Sequence, residues 1–277
     1  MRFAICNETF GDWPLQRAAA FAAECGYAGL EIAPFTLAPR ADEVSPHERA
    51  EIRRQIEAAG LEVVGLHWLL AKTEGLCLTG ADAETRRRTS RYFGELARLC
   101  GDLGGRVLVL GSPEQRSLAP GMTPARGFEH AAEVLESALP ALEAADVCLA
   151  VEPLTPAETN FLLTAGEAVE LIERIGSPRV RLHLDCKAMS SESVPIPELI
   201  ARHHALLAHF HANDPNRQGP GFGQLDFRPI FRALAAAAYR GWVSVEVFDY
   251  SPGIERLARE SIRYMRQCEQ EGLGIGH

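Results

Sequence analysis

Residues 147–153 read VCLAVEP, an apolar run that ends on a carboxylate with proline behind it. A short aliphatic and β-branched run bounded by proline is typical of a strand buried on both faces of a parallel sheet. Glu152 stands at the end of that strand, where an isolated buried charge would cost on the order of several kcal/mol. The stretch therefore predicts both a parallel sheet and a partner for this carboxylate.

The same design returns three times further along the chain. Residues 180–185 (VRLHLD), 208–211 (AHFH) and 242–247 (WVSVEV) are short apolar runs with a polar group near the C-terminal end. Strands that alternate with helices form parallel sheets, which bring the C-terminal ends of neighbouring strands to one edge. The side chains expected at that edge are Glu152, Asp185, His211 and Glu246.

Three carboxylates and one imidazole at one edge would be unstable together unless a divalent cation lay between them. This donor set suits Mn²⁺, Mg²⁺ or Co²⁺ and is less typical of structural zinc. In the alternative each acid pairs with its own basic residue, but these strands offer few candidates besides Arg181. We therefore expect one divalent metal ion, held by these four residues.

The rest of the chain predicts how many such strands there are. Eight strand–helix units can be read in the 277 residues, with no composition shift to mark a domain boundary. Ser45 and Thr164, each followed three residues later by glutamate, indicate helix starts with a capping box. Eight units in this length predict class α/β and a single (β/α)₈ TIM barrel over residues 1–277, with its active site at the C-terminal strand ends. The last helix is expected at about 253–267, and the tail at about 270–277 is expected to be disordered.

Composition excludes several classes of partner. The formal net charge of −9 argues against nucleic acid or an anionic membrane surface. No run approaches the roughly 18 apolar residues of a membrane helix, and the N-terminus turns polar too early for a signal peptide. The seven cysteines are scattered without a C-x-x-C pair, so we expect reduced thiols in a cytoplasmic protein.

Several residues near the expected pocket have both a functional and a structural interpretation. Substrate contacts are expected from Glu158, Arg217, His67, Trp68 and Trp13. The alternative for each is ordinary: a solvated loop charge, or a place in the core. His183 and His209 each precede a predicted ligand by two positions and so point to the same side of their strand. They could orient that ligand or be satisfied core histidines.

With these residues the chain resembles the xylose isomerase-like barrel superfamily, in its branch of ketose 3-epimerases and related sugar isomerases. The resemblance covers all eight units, and its motifs are Val151-Glu152-Pro153, His183-Leu184-Asp185, His209-Phe210-His211 and Val245-Glu246. It implies that the four ligands hold one divalent ion, commonly Mn²⁺. It also implies that Glu152 and Glu246 act as acid and base catalysts, and that Glu158 and Arg217 contact the sugar.

One position departs from that branch. Relatives often carry a substrate-contacting histidine three residues after Asp185, whereas this chain has Ala188. Whether Lys187 compensates as a substrate-binding residue stays open, and so does the identity of the substrate. The DNA repair nucleases of the same superfamily need three metals and further histidines, which Ala188 and the segment 226–228 (DFR) do not supply. Nuclease activity is therefore not expected.

The expected function is that of a divalent-metal-dependent sugar isomerase or epimerase acting on a ketose or keto-sugar. The reaction would remove a proton beside a carbonyl and pass through an enediolate that the metal stabilises. Two alternatives share this chemistry, an inosose dehydratase-like lyase and a hydroxypyruvate isomerase-like enzyme, and a third is a non-catalytic sugar-binding barrel. The expected partner is a small sugar or keto-sugar, with the protein as a homodimer or homotetramer.

Overall fold

The computed structural model describes residues 1–274 and contains a closed barrel whose eight strands follow one another in chain order. All neighbouring strands are parallel, and β1 pairs with β8 to close the barrel. The strands are β1 (Arg2–Cys6), β2 (Gly29–Ile32), β3 (Glu62–Leu66), β4 (Val107–Leu110), β5 (Cys148–Val151), β6 (Val180–Asp185), β7 (Leu207–Ala212) and β8 (Trp242–Val245). The predicted (β/α)₈ TIM barrel is confirmed.

Helices connect these strands and pack against one another outside the sheet. Within residues 1–274 they are α1 (Leu15–Cys25), α2 (Pro46–Ala58), α3 (Ala83–Leu103), α4 (Pro124–Ala144), α5 (Ala165–Ile175), α6 (Cys186–Met189), α7 (Ile196–His203), α8 (Phe227–Ala236) and α9 (Ile254–Gly272). Short 3₁₀ helices at Asn7–Phe10, Pro34–Thr36 and Ala41–Glu43 lie in the connections that follow β1 and β2.

The two predicted capping boxes have different outcomes. At the start of α2, the Ser45 hydroxyl accepts from the Glu48 backbone and the Glu48 carboxylate accepts from the Ser45 backbone, which completes the box. At the start of α5, the Thr164 hydroxyl accepts from the Glu167 backbone at 3.2 Å. The Glu167 carboxylate, however, accepts from the backbone N–H of Leu163 at 2.7 Å, so only half of the predicted box forms.

Barrel closure demands close approach of neighbouring strands at a few positions. At Gly65 in β3, a Cβ atom would lie 2.0 Å from the carbonyl oxygen of Val107 in β4. A side chain there would push the two strands apart, and glycine removes the clash at a cost in chain entropy.

Some boundaries differ from those expected. The last helix, α9, continues to Gly272, so residues 270–272 are helical rather than disordered. The predicted disorder of the remaining tail falls partly on residues 275–277, which lie outside the described residues. The four-residue helix α6, directly after β6, was not predicted. No helix within residues 1–274 is long and apolar enough to cross a membrane.

Candidate metal and catalytic site

The four predicted metal ligands come together at the C-terminal end of the barrel. Glu152 follows β5, Asp185 ends β6, His211 lies near the end of β7 and Glu246 follows β8. All four are buried, and one ligand atom from each lies within 4.8 Å of those of the others. The strand register explains this, because Asp185 pairs with His211 across β6 and β7. The structure thus brings the predicted set into one cluster.

The electrostatics of the cluster indicate that it requires a counter-charge. Burial raises the pKa of the Glu152 carboxyl well above its ordinary range, and the charges of Glu246 and Asp185 raise it further. Burial also raises the pKa of Asp185. For Glu246, burial acts in the same direction, but the adjacent His211 imidazole outweighs it and lowers the pKa. Three carboxylate oxygens and one imidazole nitrogen suit a divalent ion that prefers oxygen, so the residues fit the expected metal.

Glu31 on β2 fixes the imidazole of His211. Its Oε1 lies 3.1 Å from Nε2 of His211, and its Oε2 lies 2.7 Å from Nε2 of His209. The other nitrogen of His211, Nδ1, lies 3.1 Å from Oε2 of Glu246 and so faces the cluster. A carboxylate that accepts from the outer ring nitrogen sets the tautomer in which the inner nitrogen has a free lone pair. His209 therefore acts on the site through Glu31.

Glu31 was missed as a functional residue, although a fully buried acid in the short strand GLEI was a detectable signal. Its pKa is pulled in two directions: burial raises it, and the two imidazoles more than offset that and hold it well below the ordinary range.

Asp185 is held by two donors that fix its orientation. The side-chain amide of Asn213 lies 2.5 Å from Oδ2, and the backbone N–H of Ala188 donates to Oδ1 at 2.7 Å. The second bond makes Asp185 the N-cap of α6, and Asn213 Oδ1 accepts from the Lys187 backbone at 2.8 Å. Asn213 was also missed, because an asparagine after a strand is as typical of an ordinary loop as of a residue that holds a metal ligand.

His183 does not have the predicted role of orienting Asp185. It is fully buried, and within residues 1–274 neither of its ring nitrogens has a hydrogen-bond partner. Its ring packs edge-on against His211, with centroids 4.2 Å apart. Burial, the first cause, and the neighbouring imidazoles lower its pKa well below the ordinary range, so His183 is neutral.

Arg116 supports Glu152 from behind. Its side chain is fully buried, and Nη1 donates to the backbone carbonyl of Glu152 at 2.6 Å. Burial lowers the pKa of this guanidinium to about 10, against the opposing charges of Glu152 and Glu158. Sequence reasoning placed Arg116 in the loop after β4 but gave no reason to expect its burial.

A pocket of about 340 Å³ opens directly over the cluster. It contains both predicted catalytic glutamates and four of the predicted substrate-binding residues, and its lining is His67, Trp68, Gly111, Ser112, Pro113, Glu152, Leu154, Glu158, Lys187, Glu246 and Phe248. We call it the catalytic pocket. Its wall combines aromatic surface with a few convergent polar groups, as small-molecule sites commonly do.

Lys187 and Glu158 form an ion pair on one side of the catalytic pocket. Nζ of Lys187 lies 2.7 Å from Oε1 of Glu158 and 4.8 Å from the ring centroid of Phe248. Burial acts to lower the pKa of Lys187, but the charges of Asp185 and Glu158 outweigh it and raise the pKa, so the ammonium stays charged. The side chain of Ala188 contributes no polar group here.

His67 directly follows β3 and pairs with Glu8. Oε2 of Glu8 lies 2.8 Å from Nε2 of His67. Burial acts to lower the pKa of His67, and its neighbours Cys6 and Glu8 outweigh it and raise the pKa well above the ordinary range. Glu8 was not predicted as part of the site.

Two residues that were expected to contact the substrate, Trp13 and Arg217, are not among the residues that line the catalytic pocket. Trp13 packs against Phe10 and Phe21, so it belongs to the aromatic core at the start of α1. Arg217 is exposed, and its backbone carbonyl accepts from the N–H groups of Phe248 and Asp249 at 2.9 Å each. It therefore positions the Phe248 loop through its main chain.

Comparisons with known proteins agree with this architecture. A model of the xylose isomerase-like TIM barrel family matches residues 19–268, and the chain belongs to that family. A protein of Synechocystis sp. named probable ketose 3-epimerase is 24% identical over 263 residues, which cover 88% of each chain. The L-ribulose 3-epimerase of Mesorhizobium japonicum is 30% identical over 188 residues, 66% of this chain and 62% of the relative.

Solved structures give the same fold. A D-psicose 3-epimerase from Clostridium cellulolyticum H10, solved with D-tagatose, superposes with a TM-score of 0.84. The match covers 97% of this chain and 99% of that chain at 21% sequence identity, so it bears on the fold alone. Family membership, predicted from four short motifs, is confirmed, and the relatives' names confirm the predicted enzyme class, a sugar epimerase or isomerase.

Proposed function

We propose that the protein is a divalent-metal-dependent epimerase or isomerase that acts on a ketose or keto-sugar. The observation that carries the proposal is the convergence of Glu152 and Glu246, two carboxylates from different strands, on one pocket above a cluster of metal-type ligands. The names of the relatives, which include ketose and L-ribulose 3-epimerases, support a ketose as the substrate.

The residues proposed to hold the metal are Glu152, Asp185, His211 and Glu246, and the ion proposed is Mn²⁺, with Mg²⁺ or Co²⁺ as alternatives. When bound, such an ion supplies Lewis-acid polarisation of a carbonyl and stabilises negative charge beside it. Glu31 and Asn213 keep two of these ligands in orientation, as described above.

The chain's own groups then divide the proton transfers. Glu152 would take the proton from the carbon beside the carbonyl, and Glu246 would return one, which inverts the centre when the two act on different faces. General acid–base help of this kind contributes about 10²- to 10⁴-fold. Trp68, Leu154 and Phe248 form apolar wall that excludes water from the reacting carbon.

The test is proton exchange in D₂O. Mn²⁺-loaded protein is incubated with a panel of ketoses, keto-acids and keto-polyols, and NMR follows deuterium uptake at carbon. We expect exchange in at least one ketose and its near-complete loss in Glu152→Gln. Glu62→Gln removes the same charge from an exposed position at the other end of the barrel and should exchange like the wild type. A fully active Glu152→Gln enzyme would refute the assigned role.

A dehydratase is the second candidate, because a possible proton donor, Lys187, lines the catalytic pocket. Its ammonium lines the catalytic pocket beside Glu158, where it could protonate a hydroxyl that leaves as water. Product mass separates the two reactions, because dehydration loses one water and epimerisation loses nothing.

We also propose that the protein forms a homodimer or homotetramer and that it is located in the cytoplasm. Light scattering of the purified protein tests the first, and localisation of a tagged chain in cells tests the second.

A further inference from the structure

A second cavity, of about 860 Å³, adjoins the catalytic pocket. The two share Trp68, Pro113 and Phe248 as walls, and Glu8, which lines the second cavity, bonds directly to His67 in the first. We call the second cavity the annex. The shared residues place the annex directly beside the catalytic pocket, where a ligand longer than one monosaccharide would reach it.

The annex is lined by aromatic faces with a polar rim. Phe35, Trp68 and Phe248 are half-buried. Tyr250 is 40% exposed and is one of two large hydrophobic side chains within residues 1–274 that are classed as exposed. Aromatic faces hold ligands with extended C–H surface, and a few polar groups fix the orientation.

Besides Glu8, which is paired with His67, two charged residues and one amide supply those polar groups. Lys72, Glu114 and Gln115 all line the annex, and Nζ of Lys72 lies 4.0 Å from the ring centroid of Phe35. The two opposite charges offer both a donor and an acceptor for neutral hydroxyl groups. A purely hydrocarbon ligand would leave them unused.

The loop between the catalytic pocket and the annex has a strained backbone conformation. Trp68 and Lys72 both have positive φ, 53° and 60°, although neither is glycine. Non-glycine residues in this region carry backbone strain and occur preferentially at ligand sites. Trp68 stands between the two cavities, and its ring meets that of Phe248 at a centroid distance of 6.1 Å.

We propose that the annex binds a second sugar ring, so that the substrate is a ketose bearing a glycosyl group. This rests on the proposed function, because the reacting ketose would occupy the catalytic pocket. The catalytic pocket is the smaller of the two cavities, and the proposal places only the reacting ketose there. The annex is more than twice as large and would otherwise bind nothing in the reaction.

The test compares free and glycosylated ketoses in the deuterium-exchange assay. Fructose and its glycosylated forms maltulose, lactulose and isomaltulose share the same reacting end. Each glycosylated form carries one sugar ring that fructose lacks. We expect kcat/KM for at least one disaccharide to exceed that of fructose by about tenfold or more, because remote binding energy raises kcat/KM. In Phe35→Ala and Tyr250→Ala this advantage should fall to about the level of fructose, with exchange of fructose itself unchanged. Phe222→Ala, a half-buried aromatic outside both cavities, serves as the matched control.

The outcomes separate the two proposals. Exchange in fructose or another free ketose without any advantage for its glycosylated forms overturns the annex proposal and leaves the proposed function standing. No exchange in any sugar overturns the proposed function and the annex proposal with it. A change of oligomeric mass in Phe35→Ala or Tyr250→Ala, measured by light scattering, would identify the annex as a contact between copies of the chain and also overturn the proposal.

Discussion

Replacing Glu31 with glutamine tests whether the imidazole of His211 is a metal ligand at all. Glu31 touches no substrate and lies outside the catalytic pocket, so its effect must pass through the two histidines that it binds. Glutamine keeps the shape of the side chain but replaces a charged acceptor by a neutral amide. The amide can also present its NH₂ group to Nε2, which would favour the wrong tautomer of His211.

The magnitude follows from the contacts. A hydrogen bond to a charged group contributes about 1.5–3 kcal/mol and a neutral one about 1 kcal/mol. Loss of the charge at the 3.1 Å contact with His211 therefore weakens metal binding by about 0.5–2 kcal/mol. That agrees with the 10- to 100-fold loss of metal affinity usual for outer partners of ligating histidines, about 1.4–2.7 kcal/mol. We expect the Kd for Mn²⁺ to rise by this factor.

Calorimetric titration of metal-free protein with Mn²⁺ measures the effect, with a competing chelator if binding is tight. Glu62→Gln is the control, because it removes the same charge from an exposed side chain. Circular dichroism establishes that both variants keep the barrel. An affinity within twofold of the wild type in a folded Glu31→Gln protein would mean that His211 is not a ligand, and the proposed metal set would fall with it.

Two further predictions concern the pocket charges. In Lys187→Met, we expect kcat/KM to fall about tenfold, which corresponds to about 1.4 kcal/mol. Adding Glu158→Gln should lower kcat/KM little further, because both changes remove the same ion pair. Steady-state kinetics of the double-mutant cycle measures this, and additive losses would contradict it. In metal-free protein, the pKa of Glu152 is higher in the folded state than its value of about 4.3 in the unfolded state. The protonated carboxyl therefore contributes its full stabilisation below about pH 4.3, and this contribution is lost as pH rises through the folded-state pKa. Thermal melts in chelator should therefore show Glu152→Gln less sensitive to rising pH above about 4.3 than the wild type, and parallel curves would refute this.

The fold was predictable because it rests on local, repeated signals. The strand 107–110 is a run of four aliphatic residues, and the structure gives it the predicted bounds. Strand β6 likewise has its predicted bounds, Val180–Asp185. Helix ends were less accurate, since α9 runs on to Gly272 beyond the last apolar positions. Apolar periodicity indicates only the part of a helix that packs against the core. The helix itself continues for as long as its backbone hydrogen bonds and side chains permit.

The convergence of the strand-end residues could be predicted from the sequence, whereas the partners that hold them in place could not. The four strand-end residues converge because parallel register places them there. Glu31 escaped notice because nothing in its own strand reveals that two histidines, 178 and 180 positions away, would face it. Trp13 was expected near the pocket as an aromatic residue and Arg217 from the resemblance, and neither is among the residues that line the catalytic pocket.

The residues around the metal cluster, rather than the cluster itself, must distinguish the candidate reactions. Three carboxylates and one imidazole serve epimerisation, isomerisation and dehydration alike, because each begins with removal of a proton beside a carbonyl. What differs is the group that meets the neighbouring hydroxyl. Here Ala188 provides none, and the ion pair of Lys187 with Glu158 occupies that side of the pocket. A hydroxyl placed there can donate to the carboxylate and accept from the ammonium at once, which holds it in place for epimerisation. For dehydration the ammonium must instead give up its proton, and its raised pKa makes that transfer harder. The electrostatics of this pair therefore favour epimerisation or isomerisation over loss of water.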